Sequence, residues 1–254
     1  MSNISVEIIN QLNDNYSYLI FSNTSSSCIL IDPADHKKIL PIIKKKKLKI
    51  DYIFITHHHS DHTSGVPGLL KEYPKARLYS PSKLFSLEIR NISDGDIIKT
   101  SLNEFKVLST PGHTLDHIVL IDQENKFLFA GDVLFRLGCG RIFEGSIEQM
   151  HNSLNKLFDL SNEMNVYCGH EYTLNNLKFL QHIFVGNNNL ENGKKHIMED
   201  LANKKRTIPF RLGDEKKLNP FLNPGCEIAS KLKKKYNYSN LDIFRYLRKK
   251  KDNF

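Results

Sequence analysis

Apolar residues recur along the first two-thirds of the chain in short runs, each broken by Gly, Pro, Asp or Ser. SYLIFS and SCILID flank NTSS, the pattern of two strands joined by a hairpin turn. ILPIIKKKKL follows with helical spacing. DYIFIT, ARLYSP, EFKVLST, FLFAGD and NVYCGH then read as further strands, the last preceded by the helical stretch SIEQMHNSLNKLFDL. From Glu171 the pattern changes. EYTLNNLKFLQHIF, LENGKKHIMEDLANKK, GCEIASKLKKKY and LDIFRYLRKKKD all carry helical spacing, and Ser239 with Asp242 three positions later predicts a capping box for the last. GNNN at 186–189 and the stretch RTIPFRLGDEKKLNPFLNPG read as loops. The pattern predicts an α/β body over residues 1–170, with layered sheets covered by helices, and a small all-α segment over 171–254. No internal repeat interrupts this organisation.

What makes the strands informative is what stands at their ends. DYIFI runs into THHHSDH, residues 56–62. If the strand continues, alternation sends His57, His59 and Asp61 to one face and His58 to the other, with His62 at the turn before TSGVPGLL, a loop entering a helix. A packed core has no use for so many imidazoles and a carboxylate, because burying them costs free energy unless they are satisfied. The same arrangement recurs: FKVLSTPG leads into His113, KFLFAG into Asp132 and NVYCG into His170, each preceded by a Gly that permits a sharp turn. Together these residues form two nitrogen-rich ligand sets sharing a carboxylate. Imidazole and carboxylate without thiolate suit zinc, and tolerate iron or manganese. His117, four residues beyond His113, reads as structural or as support for a ligand.

Composition narrows the setting. With 254 residues, 40% hydrophobic and 10% aromatic, the chain can bury a substantial core. Its longest apolar runs fall far short of the roughly 20 residues of a membrane span, and the N-terminus lacks the pattern of an export or import signal. Cys28, Cys139, Cys168 and Cys226 are scattered and form no CxxC pair, so reduced thiols and a cytoplasmic location are expected. The net charge of +8 gathers in lysine runs at 44–47, 231–235 and 248–251. The first two read as solvated helix faces. Basicity also invites a nuclease or RNA-processing reading, against which no aromatic-interleaved basic surface or inserted domain is evident.

THHHSDH followed by TPGHT, AGD and CGHEY resembles the metallo-β-lactamase superfamily, whose members share a four-layer αββα sandwich with a dinuclear site between the sheets. Within it the chain is most similar to glyoxalase II, the hydroxyacylglutathione hydrolases. GDVLFRLGCGRIFEG at 131–145, GHEYTLNNLKF at 169–179, NPFL at 219–222 and the terminal LRKKKDNF carry that closer resemblance, which spans nearly the whole chain. It implies His57, His59 and His113 on one metal, Asp61, His62 and His170 on the other, and Asp132 bridging both. Asp61 and Asp132 would then be catalytic beside a hydroxide shared by the metals, zinc being favoured over iron or manganese. The reaction implied is hydrolysis of S-D-lactoylglutathione to glutathione and D-lactate, the second step of methylglyoxal detoxification, by a monomer with no nucleic-acid or membrane partner. The resemblance further places Arg141, Phe143, Tyr172, Arg248 and Lys251 on glutathione. Arg248 and Lys251 stand three apart, on one helix face, as a carboxylate clamp requires. Many relatives have Lys at 141 and Tyr at 143; Arg141 keeps a basic donor, whereas Phe143 offers only backbone. The nearest rival within the fold is a glutathione persulfide dioxygenase with a single iron, which generally lacks the helical tail and terminal RKKKD. A periplasmic β-lactamase usually carries Cys where this chain has Asp132.

Overall fold

The computed structural model describes residues 4–254, and its contacts divide the chain into two compact units: residues up to 109 with 116–131, and residues 110–115 with 132–254. In the first unit, strands β1 (Ile4–Asn10), β2 (Tyr16–Ser22) and β3 (Ser27–Ile31) run antiparallel in sequence, the β2–β3 hairpin pairing Tyr18 with Ile31. Helix α1 (His36–Lys46) then carries the chain over to β4 (Lys49–Phe54), parallel to β3. The Asp35 carboxylate accepts the Lys37 N–H to start α1, and Ile39 and Ile43, one turn apart, bury its inner face. Lys44, Lys45 and Lys46 occupy its last turn, where cations complement the helix dipole, so this lysine run has a structural explanation. The short helix α2 (Ser60–Thr63) and α3 (Val66–Glu72) lead to β5 (Arg77–Ser80), parallel to β4, and β6 (Arg90–Asn91) ends the sheet.

Alternation along the strands gives this sheet two buried faces. Leu19, Leu30, Ile53 and Ile55 pack with Ile39, Ile43, Val66 and Leu69 of the helices. Tyr18 and Phe54 point the other way, onto Phe129 at 5.4 Å and Phe105 at 5.3 Å. Those two rings belong to an antiparallel set of β7 (Ile97–Lys99), β8 (Glu104–Ser109), β9 (Ile118–Asp122) and β10 (Phe127–Gly131). Helix, sheet, sheet is thus the layering of the first unit.

The second unit opens with a tight hairpin of β11 (Leu134–Phe135) and β12 (Gly138–Cys139). Helix α4 (Ile147–Phe158), started by a Ser146–Gln149 capping box, precedes β13 (Asn165–Cys168). Helices α5 (Thr173–Ile183) and α6 (Asn188–Lys204) follow. The stretch expected to be loop instead holds β14 (Phe210–Arg211), paired with β13, and α7 (Leu212–Leu218). Its helix is a mere two turns and begins Leu-Gly, so propensity conceals it; burial of Leu212 and Glu215 makes it fold. Helices α8 (Ser230–Tyr236) and α9 (Asn240–Asp252) complete the chain, and the expected Ser239–Asp242 capping box starts α9. Phe179, Phe221 and Phe244 form an aromatic core with adjacent centroids 6.0 and 6.2 Å apart.

Candidate metal ligands and the loop at 138–143

In the first unit, β4 ends at Phe54 and the chain does not stay extended through the histidine motif. His59 caps α2, so Asp61 and His62 reach their places on a helical turn rather than by strand alternation. His58 Nδ1 lies 3.0 Å from the Asp116 carboxylate, which also accepts the Ser82 hydroxyl. The rings of His57 and His59 stand 4.7 Å apart and those of His57 and His62 4.2 Å apart. Asp61 lies 3.7 Å from His62 Nε2 and accepts the Asn15 amide at 2.8 Å.

Hydrogen bonds on the far side of these rings set which nitrogen is left to face a metal if one is bound. Asp32, which follows β3, accepts the Thr56 N–H and hydroxyl, each at 2.8 Å, and lies 3.0 Å from His62 Nδ1. Because the Thr56 hydroxyl donates to Asp32, it accepts from His57 Nδ1 at 3.0 Å. Both histidines therefore hold a proton on Nδ1 and present an Nε2 lone pair. Asp32 and Asn15 were not singled out from sequence, although Asp32 ends a strand exactly as Asp132 does, in ILIDP. His117 is buried with its ring 5.1 Å from His57. Gly131 makes room for it: a Cβ there would come within 2.7 Å of both His117 Nε2 and Thr56 Oγ1, at a φ of +46°.

In the second unit, His113 Nε2 and His170 Nε2 flank one oxygen of Asp132 at 3.4 and 3.3 Å. His113 Nδ1 is 2.8 Å from the Arg141 carbonyl, which can only accept, so here too Nε2 carries the lone pair. Tyr172 stacks on His170 with centroids 4.7 Å apart and planes 8° from parallel. Burial pushes the Cys168 thiol well above the ordinary range, and its Sγ donates to the His170 carbonyl.

The residues expected to meet glutathione gather around the turn after β12. Arg141 is half exposed and donates to the Asp252 carboxylate and carbonyl. Phe143 is largely exposed, its ring edge-on to the His113 ring with centroids 5.2 Å apart, and its N–H is taken by the His113 carbonyl. Arg248 is buried; its Nη1 donates to the carbonyls of Cys139 and Gly140, and its Nε and Nη2 to Asp252. Lys251 is half-buried over the Phe179 and Phe254 rings and donates to the Asn175 carbonyl. That burial, with the nearby Arg248 charge, pulls its pKa down to about 8. Gly140 is required by close approach, since a Cβ would overlap the Asp132 carbonyl.

Imidazole lone pairs and carboxylates oriented in this way fit divalent metal ions. The metallo-β-lactamase superfamily model matches residues 12–170, and the model for the hydroxyacylglutathione hydrolase C-terminus matches 171–254. A hydroxyacylglutathione hydrolase of Aliivibrio fischeri is 40% identical over 257 residues, spanning 99% of this chain and all of its own. Among solved structures, ETHE1 from Myxococcus xanthus superposes with a TM-score of 0.67 at 23% identity, over 98% of this chain and 100% of that one; this likeness concerns the fold. TTHA1623, solved in a di-iron-bound form, covers 65% of this chain and 91% of its own at 26% identity, with a TM-score of 0.55.

Proposed function

The chain belongs to the hydroxyacylglutathione hydrolase family of the metallo-β-lactamase superfamily, and on that premise we propose that it hydrolyses S-D-lactoylglutathione to glutathione and D-lactate. The observation that carries this reading is the match of both parts of the chain to that family together with the oriented Nε2 and carboxylate donors. His57, His59 and His113 would hold one divalent metal, Asp61, His62 and His170 a second, with Asp132 shared. Zinc is our assignment for both, iron and manganese being compatible with the same donors. Once bound, the metals supply Lewis acidity toward the thioester carbonyl and lower the pKa of water from 15.7 to about 7.

The protein's own groups do the rest. Asp32, Thr56 and the Arg141 carbonyl fix the histidine tautomers, and Asn15 orients Asp61. Water adds to the thioester carbonyl and gives up its protons to solvent, the C–S bond breaks, and the thiol group of glutathione leaves with the bonding electron pair. With a pKa near 8.5 it departs as a thiolate, so no dedicated proton donor is needed. Glutathione carries two carboxylates and one ammonium, which suits the cations beside the loop. Arg141 and Lys251 present theirs directly, and Tyr172 lies against the His170 ligand. Arg248 contributes charge from beneath, and Phe143 an apolar surface and its carbonyl. Residues 1–170 would thus carry the chemistry together with the Arg141 and Phe143 contacts, and 171–254 the remaining substrate contacts, Tyr172, Arg248 and Lys251. We further propose a cytoplasmic monomer that acts on this small molecule without nucleic-acid or membrane partners; no helix among the described residues is long and apolar enough to cross a membrane. A glutathione persulfide dioxygenase is the weaker reading, since the C-terminal match is to the hydrolase.

The test is thiol release from S-D-lactoylglutathione by purified protein, with metal quantified on the same sample. Turnover that a chelator abolishes and added metal restores is expected. A fully metallated protein that leaves the thioester intact overturns the proposal.

A further inference from the structure

Between Asp132 and Arg141 lie six consecutive residues, Phe135–Gly140, whose backbone is engaged at every position by side chains from the C-terminal part of the chain. The Asn219 amide donates to the carbonyls of Phe135 and Gly138 at 3.3 and 3.0 Å. Asn176 donates to the Arg136 carbonyl at 3.0 Å. Glu215 accepts the Leu137 N–H at 2.7 Å. Arg248 takes the carbonyls of Cys139 and Gly140 at 3.0 and 3.3 Å. All four side chains are buried, and the fit leaves no slack: a Cβ on Gly138 would stand 2.5 Å from the Asn176 amide nitrogen. Leu137 sits at a φ of +60°, a conformation that non-glycine residues adopt only when the surroundings impose it. A two-residue ladder is too short to hold its own shape, so these side chains replace the missing strand partners.

We propose that Glu215 and Asn219, both buried, are positioning residues that set the 138–143 loop for glutathione by gripping the hairpin before it. The inference rests on the reading above that this loop meets glutathione. The two are also tied to each other, the Asn219 N–H donating to the Glu215 carbonyl at 2.8 Å. A purely structural role would affect every substrate alike, whereas positioning of this loop affects those that carry glutathione.

The experiment compares S-D-lactoylglutathione with the same acyl group on N-acetylcysteamine, in metallated wild type and in Glu215→Ala, Asn219→Ala and Glu215→Gln. Both alanine variants should raise KM for the glutathione thioester about tenfold while kcat changes less than about threefold, with kcat/KM for the N-acetylcysteamine thioester much less affected. Glu215→Gln keeps a carbonyl acceptor for Leu137 and should restore KM to within about threefold of wild type. Unmoved KM in folded alanine variants, equal losses on both substrates, or a Gln variant as impaired as Ala would each overturn the inference. If only one alanine variant folds, that one decides by the same criteria; failure of both to fold also overturns it, because the contacts then serve folding alone. Wild-type protein inactive on the glutathione thioester defeats the functional reading itself, whereas active wild type with unmoved variants defeats only this step.

Discussion

Lys251 shows how a single side chain is tuned by its surroundings. Packed over Phe179 and Phe254 and close to Arg248, its ammonium loses its proton at about 8 instead of 10.5. If this cation attracts the glutathione carboxylate, it does so below that pH and ceases to do so above. We therefore expect kcat/KM for the glutathione thioester to decline as pH rises through about 8, since this ratio reports the free enzyme. Lys251→Arg, which stays charged, should remove that falling limb. A limb unchanged in the variant would place the titration elsewhere. At this scale the candidate ligands were legible, because His and Asp at strand ends stand out against apolar runs. Asp32 and Asn15 were not, since single acidic and amide residues occur throughout the chain and their role depends on His62, Thr56 and Asp61 approaching from other elements.

Among the elements, the capping box of α9 was readable because its two partners are neighbours in sequence. Helix α7 was not, and it carries Glu215, whose burial pushes the carboxyl up from 4.5 to about 7 despite the Leu137 N–H and the Arg136 charge. A carboxyl with a folded-state pKa above its unfolded value favours folding fully below about 4.5, and that contribution is lost as pH rises through about 7. The size is about 3 kcal/mol at 1.36 kcal/mol per pKa unit. Glu215→Gln cannot ionise. Its stability relative to wild type should therefore improve between about pH 5 and pH 8, as measured by denaturant unfolding. A difference that stays constant with pH would show that Glu215 does not titrate in this window.

For the whole molecule, metal removal offers the broadest check. Ligands that bind the folded state stabilise it by mass action, so chelation should lower Tm and restoring zinc should recover it. An unchanged Tm on removal of both ions would argue that the ligand residues hold no metal of consequence. The grouping of contacts also differs from the change in sequence pattern at Glu171: residues 110–115 and 132–170 cluster with the helical part. Strand and helix periodicity reports local structure, while contact grouping depends on long-range packing that no local pattern encodes.

The sequence alone determined the His- and Asp-bearing segments that follow the strands, the helical character of the C-terminal part and the family, because each rests on residue type and short-range spacing. Only the tertiary structure decided which histidine nitrogen bears the proton, how a turn of α2 rather than strand alternation places Asp61, and which buried side chains shape the 135–140 hairpin. Those depend on partners tens of residues away, brought within hydrogen-bonding distance by packing and invisible to any window along the chain.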